Sequence, residues 1–492
     1  MAVAVYEEDL RGKDGVVAKL DKALRGVLRA VIAAEEFKAK AEQSLTLHTH
    51  QRIKASRLLL VGLGSRKAST EDKLDIFRDA ASRAVKSGER AGAKSVAFSW
   101  EAEELAAEAR AVAEGALLGS YRYDRYKSDK KPARVATVTL LQEKKNAAVA
   151  AADLGAATGE AVNLARDLVN EPPSSLTPKD LAEAATTIAK EVGLKIEVHG
   201  RGTIEELKMG MFLGVTRGSE EKPQLIHLWY VPKEEDARAR PPLALVGKAI
   251  TFDSGGLDLK TAEGMLHMKT DMAGSAAVFA AMRVIAKLAP PFPVHAFVGA
   301  CENMPSGNAY KPGDVLVSRA GITAEVGNTD AEGRLVLGDV LTWACEHKPY
   351  AVIDLATLTG ACVVALGPYT IGAMSNDDAF AQSVLNAAKT AGEDAWRLPL
   401  TPSLEELIKS SVADVKNTGG RYGGAITAGL FLKKFVGKTP WVHLDIAGPS
   451  YLEKDHRYDA KGATGVGVRT LVELVKQRMV EEKVPAPPLG AK

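Results

Sequence analysis

Short apolar runs alternate with longer amphipathic stretches through the first third of the chain, which predicts strands and helices in turn. RLLLVG (57–62), 95–100 and 133–141 read as strands, and 69–91, 101–118 and 147–168 carry helical spacing. Strands alternating with helices of this length imply βαβ units and a mostly parallel sheet. The last helix runs into NEPPSSLTP (170–178), a Pro/Ser cluster that sets the expected boundary between a domain of residues 1–169 and one of 170–492. Beyond it, Thr177 caps a helix that Pro178 opens and that continues to about Val192. Residues 195–199, 224–231, 243–250, 294–300 and 351–355 read as strands, and 272–288 and 335–346 as helices. In the first of these helices Ala277, Ala281, Val284 and Leu288 share one face. The expected fold is α/β: a smaller N-terminal domain and a larger C-terminal one with a central mixed sheet flanked by helices. The tail 484–492 is expected to fray.

In open α/β sheets ligands sit beyond the carboxyl ends of the strands. Lys248, Asp253 and Asp271 fall just after or between elements, where that crevice would lie, and Asp330 and Glu332 fall between a short strand (324–326) and a helix. Asp330, Glu332 and Arg334 stand two positions apart in NTDAEGRL (328–335), so on an extended backbone all three would point to one side. Four acids brought together could not all ionise without compensating positive charge, which divalent cations provide. A lysine such as Lys248 joins a metal shell only as the free amine, which burial and nearby cations would favour. Taken singly, each acid has a plainer reading. Asp271 would serve as a helix N-cap, and Asp330 and Glu332 would suit a helix dipole.

Composition narrows the field. With 46% hydrophobic and 26% charged residues and a net charge of +2 over 492 residues, nothing draws the whole chain to nucleic acid or membrane. No apolar window of about 18 residues exists, and an acid at position 7 breaks any secretory signal, so the expected location is cytoplasmic. Cys301, Cys345 and Cys362 are too few and too scattered for a disulfide framework or a thiolate zinc site, and read as small buried hydrophobes.

VGKAITFDSGG (246–256), MKTDMAGSAAV (268–278), ENMPSGNAYKPGD (302–314), NTDAEGRL (328–335) and ATLTGA (356–361) closely resemble the leucyl aminopeptidase family, the di-metal cytosolic exopeptidases. RYGGAITAGLFLKKF (421–435) and DIAGPSY with KGATGVGVRTL (445–471) extend the likeness, which covers essentially all of 165–475. The N-terminal third resembles the family's variable, macro-like α/β domain in layout. The resemblance implies two divalent cations per subunit, Mn or Zn with Mg also compatible. Asp253 and Glu332 would bridge them, Lys248 and Asp271 would complete one shell, and Asp330 the other. Such a pair activates a shared water and holds the scissile carbonyl. Lys260 would stay protonated and stabilise the oxyanion. Arg334 would hold a bicarbonate that moves the proton to the leaving amine. Met268, Asn328, Thr357 and Gly360 would line the pocket for the first side chain, together with Lys260. The implied protein is a homohexamer that removes N-terminal residues, apolar ones such as Leu in preference, from peptide substrates.

Two departures from the family pattern stand near these residues. Ala249 replaces a usual glycine and would tighten a turn beside Lys248, and Asp258 adds an acid near Lys260. His267 lies close by, but a packed or exposed histidine is the plainer reading. Rival readings are a dinucleotide site at Gly62-Leu-Gly64, which lacks its third glycine, and a di-metal phosphoesterase. A further alternative is a metal-bound regulator that binds DNA, with reduced or secondary peptidase activity. Intact Lys260 and Arg334 argue against lost activity, and near-neutral charge argues against a dominant nucleic-acid role without excluding one.

Overall fold

The structure, a computed structural model, describes residues 1–68, 70–129, 135–142 and 145–481, so the expected frayed tail lies outside the described residues. The chain forms two compact units, residues 1–163 with 454–461, and 164–453 with 462 onward.

In the first unit, strands β1 (Ala2–Val5), β2 (Ser44–His48), β3 (Arg57–Gly62), β4 (Ser95–Ser99) and β5 (Thr137–Leu140) form one sheet in the order β2-β3-β1-β4-β5. Only the β2–β3 pair is antiparallel. The period of two along each strand sorts side chains to opposite faces. Ala2, Ala4, Leu59 and Val61 pack with Phe77, Phe98 and Trp100 on one face, while Val3, Val5, Leu58 and Leu60 pack with Val17, Leu28 and Phe37 on the other. The unit's limit falls inside the helix Asn146–Asn170, not at the Pro/Ser cluster after it. The early part of that helix belongs to the first core through Ala148 and Ala152, and Asn163 Nδ2 still donates to Leu117 O at 3.0 Å. Segment 454–461 belongs here too, with the Tyr458 hydroxyl on Asp75 Oδ1 at 2.8 Å. At Gly62, a Cβ would collide with Lys40 O at 2.1 Å, so this glycine serves a close backbone approach.

The second unit is built on β6 (Lys195–His199), β7 (Gln224–Tyr230), β8 (Leu243–Asp253), β9 (Val294–Asn303), β10 (Val315–Val317), β11 (Thr323–Glu325), β12 (Ala351–Ala356), β13 (Ile371–Ser375), β14 (Ala395–Arg397), β15 (Val415–Lys416) and β16 (Trp441–Asp445). Eight of them form a mixed sheet in the order β14-β13-β16-β12-β8-β9-β7-β6, whose centre, β16-β12-β8-β9, is parallel. A small sheet, β10-β11-β15, stands apart. The helix Ala273–Leu288 packs with Pro178–Val192 and Val468–Glu481, and Gly333–Glu346 packs with Gly210–Thr216 and Gly424–Lys433. Thr177 and Pro178 cap and open their helix as the sequence suggests, Thr177 Oγ1 accepting from the Asp180 N–H. Helix Ala273–Leu288 departs from its expected single face: Ala273–Met282 are all buried, because Ala, Gly and Ser leave no bulk to hold either neighbour away.

Asp339, on Gly333–Glu346, is fully buried and accepts from the backbone N–H of Phe212 at 2.9 Å and of Arg319 at 2.7 Å. Burial outweighs those bonds and pushes its pKa from 3.8 up to about 7. A raised folded-state pKa means that the folded form holds the proton longer. This group therefore contributes most stability below pH 4 and loses it as pH rises through about 7, on the order of 4 kcal/mol in all. The stability advantage of the protein over its Asp339→Asn variant is expected to shrink from pH 4 to pH 7.5 in urea unfolding; a constant difference would refute the shift.

Candidate active site

The site begins on β8. Lys248 and Asp253 are an odd number of positions apart and would project to opposite faces of a regular strand. The pairing with β9 slips between Ile250 and Phe252, making Thr251 an extra residue, and this bulge turns both side chains into one cavity. Lys248 thus stands within the strand, not after it, and Ala249 pairs with Ala300 in the sheet instead of tightening a turn. After β8 the chain reverses at Gly255, whose φ of +86° suits glycine and whose Cβ would lie 2.4 Å from Asp258 O. The reversal is closed by Lys260 N donating to Ser254 O at 3.0 Å, which returns Lys260 toward Asp253.

The opposite wall is the 326–334 segment. It is not extended, as the spacing of its charges suggested: it turns at Thr329–Asp330 and coils into the helix from Gly333. The three charged residues nevertheless converge, because a turn followed by a helical start brings them round. Asn417, just after β15, holds this segment with Nδ2 bonds to Asn328 O at 2.7 Å and Ala331 O at 3.2 Å. Its own carbonyl accepts from Arg334 Nη1 at 2.9 Å. Asp258, the extra acid, is structural: it accepts from Thr329 N at 2.7 Å. The helix starts so close to Lys248 that a Cβ on Gly333 would lie 2.3 Å from Lys248 Cε.

Between the walls the charges interlock. Lys248 Nζ lies 2.7 Å from Asp271 Oδ1 and 2.9 Å from Glu332 Oε1, and donates to Thr357 O at 3.0 Å. Lys260 Nζ lies 2.8 Å from Asp253 Oδ2 and also pairs with Asp330. Asn303 Nδ2 and Gly255 N each donate to Asp253 Oδ1 at 2.9 Å. The N-cap reading of Asp271 does not survive, while Glu332 does stand at a helix N-terminus, as its dipole reading expects. Asp271 spends its contacts on Lys248 and on Thr357 Oγ1 at 2.8 Å, and Glu332 sits at the N-cap position without a capping bond.

Burial and the neighbouring Glu332 charge raise the Asp253 pKa, burial raises Asp271 well above its ordinary value, and burial with Asp253 raises Asp330. Burial alone would lower Lys248, but Asp271, Glu332 and Asp253 outweigh it and hold the amine above its ordinary value. In the chain by itself Lys248 is therefore an ammonium, and joining a metal shell would require it to give up that proton, which the nearby cations of the expected site would favour. Lys260 is held up by Asp253, Glu332 and Asp330 against its own desolvation. Two ammonium groups thus face four acids.

The donor set fits divalent cations. Asp253, Asp330 and Glu332 each place an oxygen within 4.8 Å of the others. Asp271 Oδ2 and Glu332 Oε2 are buried with no hydrogen-bond partner. Such oxygens are costly unless something positive meets them.

Every expected site residue lines one cavity of about 450 Å³: Lys248, Asp253, Lys260, Met268, Asp271, Asn328, Asp330, Glu332, Arg334, Thr357 and Gly360. It lies at the carboxyl edge of the parallel strands, as such sheets favour. His267 stays outside that lining, 3.3 Å from Glu453 and beside Tyr451. The sequence reading had not singled out Asn417, Arg421, Thr418 or Asp445. Asp445, fully buried at the end of β16, accepts from Leu358 N at 3.1 Å and Thr359 Oγ1 at 2.7 Å and so shapes the 357–360 wall. Its place in DIAGPSY was the available signal.

Comparison with known proteins matches these two units to two family descriptions. Residues 163–472 match the cytosol aminopeptidase family catalytic domain, and 2–130 match the family's N-terminal domain. The chain belongs to the cytosol aminopeptidase family. A probable cytosol aminopeptidase of Alkaliphilus metalliredigens is 44% identical over 486 residues, covering 97% of this chain and 96% of the relative. One from a Synechococcus strain is 47% identical over 479 residues, covering 94% and 92%. Among solved structures, a tomato leucine aminopeptidase mutant superimposes with a TM-score of 0.88 at 36% identity, covering 97% of this chain and 93% of that one. The bottromycin maturation enzyme BotP in complex with Mn gives 0.85 at 36% identity, covering 97% and 99%. As a member of that family, the chain is a metal-dependent hydrolase of N-terminal peptide bonds.

Proposed function

We propose that the cavity removes the N-terminal residue from peptides, preferring apolar residues such as Leu, with two divalent cations, Mn or Zn. The carrying observation is the set of four acids around two lysines, with buried carboxylate oxygens left unpartnered. Asp253, Glu332, Lys248, Asp271 and Asp330 would hold the cations. Bound there, the cations supply an activated water and a Lewis acid for the scissile carbonyl. Lys260, anchored by Asp253 and Asp330, presents an ammonium that faces the developing oxyanion. Arg334 is buried, and its Nε makes no hydrogen bond. Its guanidinium therefore has donors left for a planar anion such as bicarbonate, which would carry the proton to the leaving amine. Met268, Leu358, Ala361, Val363 and Ala447 give the same cavity an apolar wall suited to a Leu side chain.

The test is hydrolysis of leucine anilide beside a phosphate ester. Chelation should abolish anilide turnover and Mn or Zn restore it, and bicarbonate should stimulate the wild type but not Arg334→Ala. Full activity after complete metal removal, or preference for the phosphate ester, would overturn the assignment.

We also propose a cytoplasmic homohexamer. No helix among the described residues is long and apolar enough to cross a membrane. Exposed Leu257, Leu259, Leu266, Val364 and Tyr422 lie on or beside the segments that line the cavity, an apolar surface that assembly would cover. Sedimentation is expected at six times the 52.2 kDa chain, and a monomer at micromolar concentration would sink this reading.

A further inference from the structure

A second cluster of metal-binding side chains lies at the far end of the helix that carries Arg334. Three of the chain's nine histidines meet there from separate elements: His227 on β7, His295 on β9, and His347 capping Gly333–Glu346. Fourteen helical residues put this cluster about 20 Å from Glu332. Each imidazole offers a nitrogen within 4.8 Å of the other two. His227 Nε2 and His295 Nδ1 are 3.1 Å apart. That spacing approaches the edge of a tetrahedron with bonds of about 2.0–2.1 Å, roughly 3.3 Å.

Packing fixes the geometry. The His227 ring is stacked between Trp229, with centroids 4.4 Å apart, and Phe297, at 4.5 Å, while Trp343 meets it edge-on at 5.6 Å. Only the ring edge is left to present a nitrogen, and it faces His295 and His347. Burial lowers the pKa of His227 to about 2 and of His295 to about 4, and lowers that of His347 as well. All three rings are therefore neutral at physiological pH, the form whose lone pair binds a metal. Charges around the cluster nearly balance. Arg319 is paired with Glu346 at 2.6 Å, and Glu197, opposite His227 on β6, lies 3.4 Å from His199. His295 and His347 are half-exposed, which gives an ion a way in. Three imidazoles suit a late first-row cation, whereas the carboxylate cavity is oxygen-rich and also accommodates harder cations such as Mn.

We propose that His227, His295 and His347 form a second metal site for a transition cation of the Zn²⁺ class, with one position open to water or to Glu197, separate from the peptidase cavity. Two measurements test it. Equilibrium dialysis of the full chain against Zn²⁺, with elemental analysis, is expected to find one Zn²⁺ fewer per chain in His295→Ala and in His347→Ala. Peptidase turnover within about twofold of wild type would confirm that both variants fold. Crystals of the wild-type protein grown with a few equivalents of Zn²⁺ are expected to show an anomalous peak bonded to all three nitrogens. Equal zinc content in wild type and variants, or zinc density confined to the carboxylate cavity, would overturn the proposal.

Discussion

Replacing Glu332 by Gln is expected to remove peptidase activity and most of the bound metal while leaving the metal-free fold at least as stable as before. Glu332 is 1% exposed, with one oxygen 2.9 Å from Lys248 Nζ and the other without a partner. Gln keeps the shape but takes one charge from a cluster of four acids, so repulsion within the empty cluster falls. A cation loses the side chain proposed to hold it and meets an amide in its place. Losing one partner of a buried charge cluster costs about 3–5 kcal/mol. That corresponds to roughly 10²–10⁴-fold in cation affinity, and turnover at fixed metal should fall at least as far. Elemental analysis after dialysis reads the metal. The rise in melting temperature on adding Mn or Zn, large for wild type, should nearly vanish in the variant. A metal-replete Glu332→Gln with ordinary turnover would remove Glu332 from the site.

The charged half of this site was legible because charges amid small apolar residues are costly to bury and so stand out. NTDAEGRL and VGKAITFDSGG announce themselves in that way. What they do not announce is the backbone that aims them. The bulge at Thr251 depends on a pairing with β9 some fifty residues away, and no local pattern encodes it. The turn at Thr329–Asp330 likewise depends on Asn417, a neutral residue about ninety positions on whose single side chain ties four backbone groups. Nor does the local sequence show that Asp271, Glu332 and Asp253 surround the Lys248 amine and, in the chain by itself, reverse what desolvation alone would do. In the fold, long strands and helices with clear periods were readable. β1, at the centre of the first sheet, was not: four residues buried on both faces carry no alternation. Nor did β13, β14 and β16 stand out, although they make up three of the eight strands of the large sheet. The three imidazoles of the edge cluster lie on different elements, and single histidines give no spacing to read.

Lys260→Ala is expected to cut turnover by about 10²–10³-fold, the usual effect of losing one oxyanion donor, with little change in KM and no loss of metal. The last part is the sharp one. Lys260 pairs with Asp253 and Asp330, two of the acids proposed to hold cations, and its ammonium competes with them for the same oxygens. Removing it frees those oxygens, so cation affinity should hold or rise even as the rate collapses. A merely structural lysine would behave differently: its loss would loosen the loop after Gly255, weaken metal binding, and be rescued by excess metal. A charge-balancing lysine would leave turnover intact once both cations are bound. Measuring kcat, KM and metal stoichiometry on one preparation separates these cases, and Lys260→Arg, which keeps the charge but moves it outward, should recover part of kcat. Turnover near wild type in metal-saturated Lys260→Ala would show that this amine does not meet the oxyanion.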